Sequence, residues 1–382
     1  MSTVPASIPV LRWAAGRARL AEAALAKRFR KWPLWLSGEA RPTLRQLEDF
    51  AQLSHTPIGY FFLPEPPELS LPVPDFRTVR DVFLLEPSSE LLDMLYLCQQ
   101  RQDWFREYAQ LHGLPRLEFV GHANMQDSPE AVAEEMRDTL ALSIAERRKL
   151  PTWADALRQL IAKAEEAGVL VMASSIVGSN SHRKLDVEEF RGFALADDLA
   201  PLIFLNAADS KSAQMFTLTH ELAHLWLGLS GVSDVEAGRV PDQTTERWCN
   251  RVAAEVLMPL TEVMAVHDPD ETVPHAIQRL ARHFKVSTLV ALRRLHDAGF
   301  IDTHALWQYY QVEIKRLRAL ERSSGGGDFY RTLGARTGKR FAWAIVASTL
   351  EGQTLFQDAF RMLGVRKTAT FYQTARELGV MP

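Results

Sequence analysis

The 382-residue chain is 47% apolar with ordinary Gly and Pro usage, which excludes a disordered or fibrous protein and leaves room for two or three domains. Its formal charge of −3 is unevenly spread: residues 1–50 carry nine Lys/Arg against four Asp/Glu, residues 301–382 carry twelve against seven, and −13 is left for the middle. Two cysteines, Cys98 and Cys249, exclude a disulfide framework or a cysteine zinc cluster, and with no leader pattern and no apolar run of about 18 residues the expectation is a cytoplasmic protein without a membrane partner.

Residues 1–65 predict short amphipathic helices, with Leu11, Ala14 and Ala15, then Leu25, Ala26 and Phe29, then Leu44, Leu47, Phe50 and Ala51 at helical spacing. Breaks are expected at Lys31-Trp32-Pro33, Ser37-Gly38 and Arg41-Pro42-Thr43, where Thr43 is placed to cap the next helix. Pro64, Pro66, Pro67, Pro72 and Pro74 keep the chain extended towards Asp75-Phe76-Arg77, so residues 1–75 read as a helical module with its linker. A helical connecting region, 76–154, contains predicted helices over 88–112 and 128–149. Trp153 to Ala167 predicts a further helix closed by Gly168. The period then changes. Val169-Leu170-Val171-Met172, Phe190 to Leu195 and Leu202-Ile203-Phe204-Leu205 are short apolar runs bounded by turn residues, the pattern of a small sheet. Helices follow at Glu246 to Met258 and twice within 275–298, ending a central domain at 155–300. The tail, 301–382, is again helical and is interrupted by Ser323-Ser324-Gly325-Gly326-Gly327, a connector rather than a phosphate loop.

The segment that carries chemistry is Phe216-Thr217-Leu218-Thr219-His220-Glu221-Leu222-Ala223-His224-Leu225. Residues four apart share a helix face, so the imidazoles of His220 and His224 can converge on one Zn2+ while Leu218, Leu222 and Leu225 turn into the protein. Glu221 cannot ligate from the same turn. It is placed as general base, taking a proton from a water whose pKa zinc lowers to about 7, and as the acid that returns it to a departing amine. Two surface histidines beside a solvated glutamate would give the same letters, but the apolar residues on both sides argue against that. A catalytic zinc needs a third protein ligand. Glu246 is the first candidate because a helix fixes its direction, with Asn250 one turn on to hydrogen-bond an imidazole or the carboxylate; Asp234, Glu236 and Asp242 are alternatives. For a developing oxyanion only His182, Arg183, His267 and His283 suggest themselves, each more simply read as a surface or core residue.

Thr217 to Leu225, followed by Glu246-x-x-x-Asn250-x-x-Ala253-Ala254-Glu255-Val256-Leu257-Met258-Pro259, resembles the ImmA/IrrE family of bacterial zinc metallopeptidases over roughly residues 155–300. The resemblance implies a zincin-like domain, zinc held by His220, His224 and Glu246, and a regulatory protein substrate such as a helix-turn-helix repressor. Two departures stand out: Ala223 where the family has Gly, and the bulky Trp248-Cys249 where it has small residues. Residues 10–67 resemble the XRE-type helix-turn-helix found fused ahead of such peptidases. This implies a duplex DNA partner, with Arg28, Arg30, Lys31, Arg41 and Arg45 on phosphates. The expected recognition segment, Pro33 to Gly38, offers little to read bases, so a module that docks on protein is the other reading. In the tail, Arg331, Arg336, Lys339, Arg340, Arg366 and Lys367 lie among Phe341, Trp343, Phe356, Phe360 and Phe371, and the layout resembles antitoxins, implying a toxin partner. The expected architecture is therefore α+β and mainly helical: helix-turn-helix-like module, metallopeptidase domain with a small sheet, helical tail. The expected function is a zinc endopeptidase; the rival is a DNA-binding regulator or antitoxin with a structural or sensory zinc.

Overall fold

The computed structural model describes residues 3–76, 87–233, 243–321 and 333–381. It is α+β and mainly helical, with one four-stranded sheet among the described residues. The chain divides into two compact units, Met1–Pro72 with Val79–Leu95, and Val73–Thr78 with Tyr96–Pro382. The candidate ligands Asp234, Glu236 and Asp242, the connector at 323–327 and Arg331 lie outside the described residues.

In the first unit α1 (Ile8–Arg17), α2 (Glu22–Arg28), α3 (Trp32–Ser37), α4 (Leu44–Ser54) and a 3-10 turn (Ile58–Phe62) enclose Leu11, Leu25, Phe29, Trp32, Trp35, Leu47, Phe50 and Phe61. Each helix is too short to persist alone, so the aromatic core decides the fold. Trp32 and Phe50 have ring centroids 4.8 Å apart, and Phe50 and Phe61 5.4 Å. Thr43 and Gln46 form the capping box that starts α4, and Gly38 ends α3 in the left-handed conformation.

After α5 (Ser89–Leu111), the predicted helix over 128–149 is two helices, α6 (Pro129–Thr139) and α7 (Ile144–Lys149). Ala141 at φ +47° breaks the ladder and Ser143 caps α7. Then come α8 (Trp153–Glu166), β1 (Leu170–Ser174), β2 (Gly192–Leu195), β3 (Leu202–Asn206), α9 (Lys211–Trp226), β4 (Gly231–Ser233) and α10 (Thr244–Leu257). They are followed by α11 (Leu260–Ala265), α12 (Val273–Phe284), α13 (Thr288–Asp297), α14 (Thr303–Glu321), α15 (Leu333–Thr337), α16 (Lys339–Leu350), α17 (Phe356–Leu363) and α18 (Thr368–Glu377).

The strand order is β1-β3-β2-β4, with β1 parallel to β3 and the other pairs antiparallel. The apolar runs are continuous because both faces are covered. Val171, Ala173, Ala194, Ile203 and Leu205 enter a core with Leu157, Leu160, Leu218, Leu222, Val252 and Leu257, whereas Phe193 stacks on Phe204 and Met172 meets the Arg101 guanidinium on the other side. The C-terminal helices belong to this assembly: α15 and α16 pack against β1, and a Cβ at Gly338 would stand 2.7 Å from Val171 O. No helix among the described residues is long and apolar enough to cross a membrane.

Candidate metal centre

The helix α9 starts at Ser210, whose hydroxyl accepts from Ala213 N, and every residue from Gln214 to Trp226 is buried. A helix buried all round belongs to a core, so its polar side chains must find partners inside the protein. Leu218, Leu222 and Leu225 pack into the apolar cluster. His220 and His224, one turn apart, instead face α10. There Glu246, in the first turn, brings its carboxylate to both: Oε1 is 2.9 Å from His224 Nε2 and Oε2 is 3.1 Å from His220 Nε2. The two Nε2 atoms are 3.1 Å apart, and none of the three residues is more than 2% exposed.

These distances fit a divalent ion. Donors held about 2.0–2.1 Å from a tetrahedral zinc lie roughly 3.3 Å from one another, close to the separations in this triad, and two imidazoles with a carboxylate are a usual zinc donor set. Electrostatics agree. Burial opposes charge on Glu246, but the attraction of His220 and hydrogen bonds to both imidazoles outweigh it and bring its carboxyl down to about 2. Burial pushes the His224 imidazole down as well, against the pull of Glu246. The result is an ionised carboxylate held against two imidazoles in a dry interior, a donor set that a shared cation suits.

Around the triad, Asn250 stands one turn after Glu246, with Oδ1 2.9 Å from His220 Nδ1. Glu221 is fully buried, and neither carboxylate oxygen has a hydrogen-bond partner. Burial first, then the negative Glu246, push its carboxyl well above the ordinary range. Ser233 tempers that rise, although its buried hydroxyl makes no hydrogen bond of ordinary geometry. Beside Glu221, Gly192 leaves a gap: a Cβ there would be 3.1 Å from Glu221 Oε1, 2.7 Å from Thr217 Cγ2 and 3.0 Å from Phe204 O. Trp248, one of the two bulky residues, is turned onto Asp127 O, to which its indole donates at 3.1 Å. Cys249 is a buried free thiol that burial and the charges of Glu246 and Glu221 keep protonated.

The other sequence candidates fall elsewhere. His182 is exposed, His267 stacks on Phe300 and His283 lies against Phe284. Arg28, Arg30, Lys31, Arg41 and Arg45 are all exposed on the first unit, while α3 shows Pro33, Leu34 and Ser37 outward and buries Trp32 and Trp35. Of the tail residues, Phe341 and Phe371 are buried and Trp343 and Phe356 are exposed. Sequence alone does not single out Gly192, Ser233 or Phe76, whose ring stacks on His224 with centroids 5.2 Å apart. A glycine within an apolar run, which often marks a close approach, is the one signal that points to Gly192.

Comparison with known proteins is consistent with this geometry. Residues 164–296, which contain the triad, match the IrrE N-terminal-like domain of the Peptidase_M78 family. Residues 337–377, spanning α16 to α18, match a domain of unknown function, DUF8813. Over 101 residues the chain is 33% identical to the radiation response metalloprotease IrrE of Deinococcus radiodurans. The alignment takes in 25% of this chain and 31% of that protein, so the chain spans about a third of the relative it matches. Residues 164–296 of this chain are therefore similar to the IrrE-type metallopeptidase domain.

Proposed function

We propose that the protein is a cytoplasmic zinc-dependent endopeptidase whose substrate is a regulatory protein such as a helix-turn-helix repressor. The observation that carries this reading is the convergence of His220, His224 and Glu246 beside a buried glutamate with no hydrogen-bond partner. Bound to the three donors, zinc would supply a Lewis acid that activates a water and polarises a carbonyl.

The remaining work falls to the chain's own side chains. Asn250 accepts from His220 Nδ1–H and so turns the Nε2 lone pair towards His224 and Glu246. Glu221, with its raised proton affinity, takes the proton of the attacking water on a carboxylate oxygen and returns it to the leaving amine nitrogen. Gly192 keeps the space beside that oxygen clear. The repressor-class substrate rests on the family resemblance, as no described side chain names a sequence to be cut.

The test is Glu221→Gln in the full chain, loaded with zinc and given candidate repressors or a labelled unstructured protein. Cleavage should stop while zinc content and thermal midpoint stay within error of the parent. Cleavage that survives the change removes Glu221 from the reaction, and an absence of cleavage by the zinc-loaded parent removes the endopeptidase.

A further inference from the structure

The strand β4 is the edge of the sheet, and an edge strand offers unpaired N–H and C=O groups to any extended segment. In this protein one is already there. Phe76 N donates to Val232 O at 3.0 Å and Val232 N donates to Pro74 O at 3.1 Å, so that Asp75 pairs in parallel with Val232. The same segment sends the Phe76 ring over His224, nearly parallel at 20° between planes. Gly231 makes room for it: a Cβ at that position would fall 2.2 Å from Phe76 Cε2 and 3.3 Å from Pro74 O. All these residues belong to the second compact unit.

We propose that residues 74–76 are an internal strap that occupies the β4 edge in place of an incoming peptide, and that this edge accepts an extended segment carrying an aromatic side chain once the strap has left. The inference rests on the endopeptidase reading for its purpose. It rests on the pairing and the ring stack for its form. Strand addition takes affinity from main-chain hydrogen bonds and selectivity from where alternate side chains land, and here the landing place is the face of a candidate ligand imidazole. Pro72 and Pro74 favour the extended backbone such pairing needs. Two hydrogen bonds and one half-buried ring are a small attachment. A tethered segment competes at an effective concentration of about millimolar, so a small attachment is enough to hold the edge and still be displaced.

The experiment uses the full chain and, as probe, a fluorescein-labelled peptide with the sequence of residues 71–76, Leu-Pro-Val-Pro-Asp-Phe. Phe76→Ala should bind the probe at least tenfold more tightly than the parent, with and without zinc, and the Val232 amide should exchange at least tenfold faster. The zinc-loaded variant should also cleave a labelled protein substrate faster. Equal probe binding together with unchanged Val232 exchange overturns the strap. Pro74→Gly, at an exposed position, carries the same two readouts should Phe76→Ala fail to fold. If the probe and exchange results hold while neither zinc-loaded protein cleaves anything, the strap stands and the endopeptidase reading falls.

Discussion

Asn250 Oδ1 accepts a hydrogen bond from His220 Nδ1 at 2.9 Å, which fixes the tautomer of an imidazole otherwise free to present either nitrogen. Removing such a partner typically lowers metal affinity by about 10–100-fold. Asn250→Ala should therefore lose zinc affinity in that range, and Asn250→Asp, which keeps an acceptor in place, should retain most of it. Competition against a metal-indicator dye measures both. An alanine variant with parental affinity would mean that packing alone orients His220.

Gly192→Ala tests the gap beside Glu221. The new methyl would stand within 3.1 Å of Thr217 Cγ2, Phe204 O and Glu221 Oε1, and two of these belong to a buried helix and one to a strand backbone. Little of that can yield. Overpacking of this kind costs about 1–3 kcal/mol, and the displaced carboxylate should also slow turnover. Urea midpoints and cleavage rates of the zinc-loaded protein read the two effects, and a variant neutral in both would show that the site relaxes at no cost.

What the sequence made legible follows from range. His220, Glu221 and His224 are within one helical turn, so their relation is local, and Glu246 and Asn250 share a face of the next helix. The pairing of Gly192 with Ser233 and the stack of Phe76 on His224 join positions far apart in the chain. No local period encodes such contacts. β4 is three residues long, too short for alternation to register, and Ala141 breaks a helical pattern whose letters alone would continue it. The C-terminal helices read as a tail because the close approach that ties them to the sheet, Gly338 beside Val171 O, joins positions far apart in the chain.

Metal removal should be felt as stability. A ligand that binds only the folded chain stabilises it by about 2.7 kcal/mol at a hundred times its Kd. Adding zinc to chelator-treated protein should raise the thermal midpoint and saturate near one ion per chain. His220→Ala, His224→Ala and Glu246→Ala should each abolish most of that increment. A midpoint indifferent to zinc in the parent would mean the three donors hold no ion.

The exposed cations of the first unit predict a particular kind of DNA binding. Arg28, Arg30, Lys31, Arg41 and Arg45 suit phosphates, while α3 presents apolar residues and a single hydroxyl. Binding by the full chain should be nearly equal across unrelated duplexes and weaken with salt, with a slope of about −0.9 per phosphate neutralised. No complex at low salt would favour the protein-docking module instead.

Glu165 predicts a pH dependence that is independent of the metal centre. Burial raises its carboxyl to about 7, against hydrogen bonds from the Arg340 and Lys339 backbone that join the end of α8 to the start of α16. A folded-state value above the unfolded one means that the folded chain holds the proton more tightly, so this group favours folding most below about pH 4.5, where both states are protonated. That advantage is lost as pH rises towards 7, when the unfolded state ionises freely and the folded state must either keep a proton or bury a charge. The span of roughly 2.5 units corresponds to at most about 3 kcal/mol. Glu165→Gln keeps the acceptor and removes the titration, so the stability gap between variant and parent should widen in favour of the variant between pH 5 and pH 8. Urea midpoints at the two pH values measure it. A gap that stays constant would mean that Arg340 and Lys339 hold the carboxylate ionised throughout.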